Sequence, residues 1–247
     1  MRLALLADIH GNLEALHACL DHAKSQGAQR FAFLGDFLGY GADPSAVLDL
    51  VAAYAADGAI VVLGNHDVAV LDHPSVSMNE YARVAIEWTK TRLLPHHFTF
   101  LASLPLIRHE DDMTFVHASA DAPDKWIYVT DPLRAAHSLG ATRSAYLFSG
   151  HVHEQVLYYT GASGRPLPFT PVPGTPIPVG RHRRWLAIAG SVGQPRDGNP
   201  AAAYALFDTN LVTLTYYRIA YDYELTASKI RAAGLPERLA LRLEHGD

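Results

Sequence analysis

The sequence predicts an α/β fold whose first half is built on parallel strands and whose second half is more antiparallel. Three observations carry this. Short apolar runs and helical stripes alternate as β-α-β-α-β as far as Leu63, an order that implies parallel pairing and right-handed crossovers. Most of the runs are apolar at every position, as expected of strands covered on both faces. Near the C-terminus, Ala203–Phe207 and Leu211–Arg218 flank Asp208-Thr209-Asn210, the pattern of a β-hairpin.

Taken in order, the strands are Leu3–Ala7, Phe31–Leu34, Ala59–Leu63, Met113–Val116, Ala145–Phe148 and Trp185–Ala189. Asn12 can cap a first helix that places Leu13, Leu16 and Leu20 on one face. Asp43-Pro44 supplies a cap and a first-turn proline ahead of Val47, Leu48 and Val51. Ser77-Met78-Asn79-Glu80 has the spacing of a capping box before Tyr81, Val84, Ala85 and Trp88, and that helix should stop before Pro95. Asp222 caps an expected last helix ending at Gly234, with Pro236 beyond it. Between Gly164 and Gly180 stand Pro166, Pro168, Pro171, Pro173, Pro176 and Pro178; so many missing N–H donors exclude a central strand and leave an edge excursion or a loop. No internal repeat and no long polar linker divides the chain, so residues 1–247 are expected to form one domain.

Composition narrows the function. With 49% hydrophobic and 18% charged residues, the chain can bury a sizeable core. A formal net charge of −5 and no long Lys/Arg run argue against binding polymeric nucleic acid. Cys19 is the single cysteine and lies in a helical stripe, which excludes an intrachain disulfide and a thiolate metal cluster. No apolar segment has the length of a membrane span or signal peptide, so the expected location is the cytoplasm. The 14 histidines are the compositional oddity, and imidazole both binds metals and moves protons.

The residues just beyond the strands carry the chemistry. The first strand runs into Asp8-Ile9-His10, the second into Gly35-Asp36, the third into Gly64-Asn65-His66-Asp67, the fourth into His117, and the fifth into Gly150-His151-Val152-His153. Five core strands thus deliver polar side chains at one end, the edge where open α/β sheets bind ligands. Asp8, His10, Asp36, Asn65, His117, His151 and His153 form an oxygen and nitrogen donor set suited to Mn, Fe, Zn or Ni. Seven donors exceed one tetrahedral ion but fit two ions sharing a carboxylate. Gly35, Gly64 and Gly150 are expected to let the backbone turn sharply into the site.

These motifs, spaced over residues 8–153, resemble the motif set of the calcineurin-like metallophosphoesterases, with no ligand position substituted. The stretch Ala189-Gly190-Ser191-Val192-Gly193-Gln194-Pro195-Arg196 resembles a feature of the compact prokaryotic phosphodiesterase branch of that superfamily. The resemblance implies a four-layer αββα sandwich of two mixed β-sheets flanked by helices, with two metal ions at one edge. One ion would take Asp8, His10 and His153, and the other Asn65, His117 and His151, with Asp36 bridging them. His66 would donate a proton or face the phosphate, and Asp67 would orient His66.

Two adjacent cations neutralise an anionic ester and acidify a shared water, so the expected reaction is in-line attack of a metal-bridging hydroxide on phosphorus. Asn12, Tyr40 and Arg196 are further candidates for contacting substrate; Asn12 competes with its role as a cap, Tyr40 with packing and Arg196 with a surface turn. The expected substrate is a small soluble phosphate ester, foremost a phosphodiester. A symmetrical dinucleoside tetraphosphate hydrolase is the alternative, and a non-enzymatic interaction subunit using the Pro-rich segment is the reading of another class. Homo-oligomerisation stays open.

Overall fold

The computed structural model describes residues 1–72 and 78–247. In chain order it contains β1 (Arg2–Leu6), α1 (Leu13–Ser25), β2 (Arg30–Phe33), α2 (Pro44–Ala56), β3 (Ile60–Val61), α3 (Asn65–Leu71), α4 (Glu80–Lys90), α5 (Pro95–Ala102), β4 (Ile107–Glu110), β5 (Met113–Val116), α6 (Pro132–Gly140), β6 (Tyr146–Ser149), β7 (Gln155–Thr160), β8 (Pro166–Phe169), β9 (Ile177–Pro178), β10 (Trp185–Ala189), β11 (Ala202–Asp208), β12 (Thr213–Ile219), α7 (Tyr223–Ala232) and α8 (Glu237–His245). They form two six-stranded mixed sheets, β3-β2-β1-β11-β12-β9 and β4-β5-β6-β10-β7-β8. The predicted parallel start is present as β1–β2 and β2–β3, and the predicted hairpin as the antiparallel pair β11–β12.

The sheets pack face to face because each core strand is apolar on both sides. Along β1, Leu3 and Leu5 face the second sheet with Phe115, Phe148 and Ala187, whereas Ala4 and Leu6 face α1 and α2 through Leu16, Leu20 and Val47. Across the second sheet, Ala135 and Leu139 of α6 cover Leu147 and Ile188. The layers are therefore helix, sheet, sheet, helix. Within the first helical layer, Cys19 is fully buried and free, as expected of a small apolar filler.

Several local expectations need correction. Ser77 lies outside the described residues, and α4 is capped by Asn79, whose Oδ1 accepts from Ala82 N at 2.9 Å. The same helix does stop before Pro95, as expected, and Pro95 itself opens a further helix, α5. Asp222 caps α7 as predicted, yet Pro236 introduces a further helix, α8. Asp43 precedes α2 without a side-chain cap bond; its Oδ2 instead accepts from Lys229 Nζ at 2.9 Å. The hairpin's second strand starts at Thr213, because Val212 takes φ 54° in the turn. The third strand shrinks to Ile60–Val61. In the proline-rich segment, β8 and β9 are both outermost strands, the edge position that missing N–H groups dictate.

Candidate metal centre

Both sheets contribute to one site. Asp8, His10, Asp36 and Asn65 follow β1, β2 and β3 of the first sheet; His117, His151 and His153 follow β5 and β6 of the second. Main-chain bonds stitch the strand ends together: Asp8 N donates to Gly35 O at 3.0 Å, His10 N to Asp36 O at 2.9 Å and Gly150 N to His117 O at 2.9 Å. Asp8, His10, Asp36, His151 and His153 all take left-handed backbone, with φ between 50° and 68°. Such conformations cost a non-glycine residue energy and persist where surrounding structure imposes them, commonly at functional sites.

Gly35 meets the expectation of a sharp turn, at φ 86°. Gly64 and Gly150 lie outside that backbone region and serve by making room. A Cβ on Gly64 would stand 2.1 Å from Asp36 Oδ1, and one on Gly150 2.7 Å from Asp8 Oδ2.

The imidazoles are locked from behind. His10 Nδ1 bonds Leu38 O at 2.9 Å, His117 Nδ1 bonds Leu34 O at 2.7 Å, His153 Nδ1 bonds Gln194 O at 2.6 Å and His151 Nε2 bonds Trp126 O at 3.0 Å. A carbonyl only accepts, so each of those nitrogens carries the proton, and the opposite nitrogen of the neutral ring presents a lone pair. The lone pairs converge. His10 Nε2 lies 3.2 Å from His153 Nε2, and His117 Nε2 lies 3.0 Å from His151 Nδ1 and 3.2 Å from Asn65 Oδ1. Asp8 Oδ1 is buried with no hydrogen-bond partner among the described residues, 3.3 Å from His153 Nε2. Asp36 Oδ2 stands between the groups, 3.8 Å from His10 Nε2 and 3.4 Å from His117 Nε2.

Acceptors facing acceptors in a buried site repel unless positive charge lies between them. The ring protonation reflects the same conflict. Burial and the other cationic groups hold His10 and His153 well below the usual imidazole range, and His151 at about 3. Burial would depress His117 too, but the Asp36 and Asp8 carboxylates lift it to about 9, a single proton serving where cations would. Burial and Asp36 push Asp8 up to about 7. Asp8, His10 and His153 on one side and Asp36, His117 and His151 on the other are each compact enough to hold an ion, and a third trio, His10, Asp36 and His66, overlaps both. With Asn65 beside His117, the residues fit a two-metal centre of Mn, Fe, Zn or Ni type.

His66 and Asp67 are both buried but do not act on each other through their side chains as expected. Asp67 Oδ2 accepts from Asp36 N at 2.8 Å and Gly64 N at 2.9 Å, and Oδ1 from Phe37 N at 2.9 Å and Leu38 N at 3.2 Å. Burial presses this carboxyl upward, yet only the ionised form satisfies all four donors. Asp67 therefore shapes the loop that carries Asp36 rather than orienting His66. His66 is placed by its own N–H, which donates to Asp36 Oδ1 at 2.8 Å, and by contact with the rings of Tyr40 and His10 at 4.7 and 4.8 Å. Its Nδ1 has no partner among the described residues. Gly39 leaves space for it, since a Cβ there would come within 2.4 Å of that nitrogen.

The three candidate substrate contacts separate. Asn12 is committed elsewhere: Oδ1 caps α1 through Ala15 N at 3.1 Å, and Nδ2 donates to Gly193 O at 2.9 Å and Tyr221 Oη at 3.1 Å. It has no free group for phosphate, and the cap reading holds. Tyr40 is buried against His10, with ring centroids 4.6 Å apart. Arg196 lies over the Tyr40 ring at 5.9 Å and donates from Nη2 to Gln194 Oε1 at 3.0 Å, while its buried Nε is unpartnered among the described residues. The loop preceding Arg196 has a structural task as well, because Gln194 O orients His153 and Ser191 Oγ donates to Asp8 O at 2.8 Å.

Sequence reasoning missed Trp126 and Tyr128. The Trp126 carbonyl holds His151, and the Tyr128 ring stacks on His151 at 3.9 Å and 23°. Their loop has no periodic pattern; two aromatics within three residues were its one signal. Together with Tyr40, Asn65, His66 and His151 they line a cleft of about 320 Å³ beside the donor cluster.

A family model described as the calcineurin-like phosphoesterase superfamily domain matches residues 1–211. An uncharacterized protein of Methanocaldococcus jannaschii is 34% identical over 247 residues, spanning 98% of this chain and 96% of that protein. Among solved structures, a metallophosphoesterase from Sphaerobacter thermophilus is similar with a TM-score of 0.89 and 36% identity, over 100% of this chain and 99% of that one. A hypothetical protein from Pyrococcus horikoshii OT3 shares the fold at TM-score 0.79 and 18% identity, over 100% and 98% of the two chains. By family match and by likeness to the Sphaerobacter thermophilus metallophosphoesterase, the chain belongs to the calcineurin-like phosphoesterase superfamily.

Proposed function

We propose that this protein is a single-domain phosphodiesterase that hydrolyses a small phosphate ester at a two-metal centre. Asp8, His10 and His153 would hold one ion, Asn65, His117 and His151 the other, and Asp36 both. The observation that carries this reading is the inward convergence of four imidazole nitrogens on two carboxylates, each ring fixed by a carbonyl behind it. Two ions bound there would neutralise the ester's negative charge and acidify the attacking water.

The chain's own groups do the rest. As water adds to phosphorus and the P–O bond to the leaving group breaks, that oxygen needs a proton. What supports His66 as its source is a ring adjacent to the donor cluster, with Nδ1 unpartnered among the described residues. Burial holds its pKa below the ordinary imidazole value, while the Asp36 charge opposes this. Arg196 would bind a non-bridging phosphate oxygen, as a planar guanidinium does well.

The test is hydrolysis of a chromogenic phosphodiester by purified protein before chelation, after complete metal removal and after return of Mn. Activity should vanish on removal and recover on return. Full activity in the stripped protein refutes the reading.

A further inference from the structure

The cleft beside the metal centre has an aromatic wall that the phosphoester chemistry does not use. Three rings form it, from Tyr40, Trp126 and Tyr128, and its floor is the catalytic edge at Asn65, His66 and His151. A phosphate held at the metal centre would therefore carry its organic substituent along this wall. Two features set the wall apart from ordinary packing.

The first is preorganisation with exposure. One face of Tyr128 lies against His151 at 3.9 Å and 23°, so the plane of the ring is fixed by a side chain that the fold itself immobilises. Even so, Tyr128 is 49% exposed, and its uncovered surface borders the cleft. A ring already ordered loses little freedom when a second flat group stacks on it. The second feature is backbone strain. Trp126 sits at φ 54° and ψ 42°, and Tyr40 at φ 64°, a region that bulky side chains avoid. The Trp126 conformation is the one that turns its carbonyl onto His151 while its indole stands edge-on to His117 at 6.0 Å and 67°. The strained residue thereby places a large flat side chain at the mouth of the metal site.

We propose that Trp126 and Tyr128 are specificity-determining residues, forming a stacking subsite for a planar aromatic group on the phosphate ester, either a nucleobase or an aryl ring. The inference rests on the phosphoester reading above and extends it to a substrate class. Stacking of one base on an aromatic side chain typically strengthens binding about 5- to 150-fold.

The experiment measures inhibition constants against hydrolysis of bis(p-nitrophenyl) phosphate by the Mn-loaded enzyme, with adenosine 5′-monophosphate, ribose 5-phosphate, phenyl phosphate and methyl phosphate as inhibitors. Each pair shares its phosphate and differs by a ring. In the wild type, the ring-bearing member of at least one pair should bind about 5- to 150-fold more tightly. The pair that shows the gain identifies nucleobase or aryl as the preferred group. Trp126→Leu and Tyr128→Leu should each pull that ratio toward one, with circular dichroism and metal content reporting an intact fold and metal site. Tyr128→Phe keeps the ring and should keep the ratio. Ratios near one in the wild type, or ratios unchanged in both leucine variants, overturn the inference while the hydrolase reading stands. Absence of hydrolysis in the metal-loaded wild type overturns both.

Discussion

Asp67→Asn should destabilise the whole protein, although the residue touches neither the donor atoms nor the cleft. In the native chain its two oxygens receive four backbone N–H groups, two each. Asparagine replaces one oxygen with a donor. Whichever way the amide turns, two main-chain N–H groups then face an NH₂ and lose their acceptor. Hydrogen bonds to a charged group contribute roughly 1.5–3 kcal/mol each, so the loss is about 3–6 kcal/mol. A domain's total stability is typically about 5–15 kcal/mol, so the variant should lie close to its unfolding threshold. The assay is urea unfolding of metal-free wild type, Asp67→Asn and His66→Ala, followed by circular dichroism. His66→Ala serves as the neighbouring control, because its side chain accepts no main-chain N–H among the described residues. A loss under about 1 kcal/mol for Asp67→Asn, with unchanged dependence on urea, would refute the argument that this carboxylate holds the Asp36 loop.

Other outcomes follow from the same geometry. His66→Ala should lower turnover about 10²- to 10⁴-fold, the usual worth of general acid catalysis, with metal content unchanged by elemental analysis; loss of metal instead would make His66 a ligand. Asp36→Asn should empty or scramble both metal positions, because a carboxamide bridges two cations poorly, and normal occupancy with a normal rate would exclude the bridge. Glu14 has a folded pKa below its usual 4.5: burial opposes this, but bonds from Lys229 and from Thr226 Oγ1, the latter at 2.8 Å, prevail. A depressed acid adds stability above its unfolded pKa that is lost as pH falls through the folded value. Glu14→Gln should therefore weaken the protein near neutrality and flatten the decline in its stability below pH 4.5, read as urea midpoints against pH.

The candidate site was legible because its chemistry sits at strand ends, where short apolar runs mark the preceding residues. Asp8, His10, Asp36, Asn65, His117, His151 and His153 could be found that way, and the structure brings all seven together. Roles that depend on side-chain direction were harder to read. His66 and Asp67 are consecutive on α3, and consecutive helical residues point about 100° apart, so adjacency in sequence was the wrong warrant for contact. Proline misled for a related reason. It stops a helix that precedes it but also opens one that follows, and Pro95, Pro132 and Pro236 all stand at helix starts. Trp126 and Tyr128 were invisible because nothing local says which way an aperiodic loop will fold back.

The prolines of β8 and β9 have a consequence for the molecule among its neighbours. Each is the last strand of its sheet, and an outermost strand is where another chain can dock by continuing the ladder. Pro166 and Pro168 in β8, and Pro178 in β9, cannot donate from their nitrogens, so an incoming strand would meet gaps in the row of hydrogen-bonding groups. One edge of each sheet is thus a poor template for fibril growth, which matters for a protein whose interior strands are almost wholly apolar.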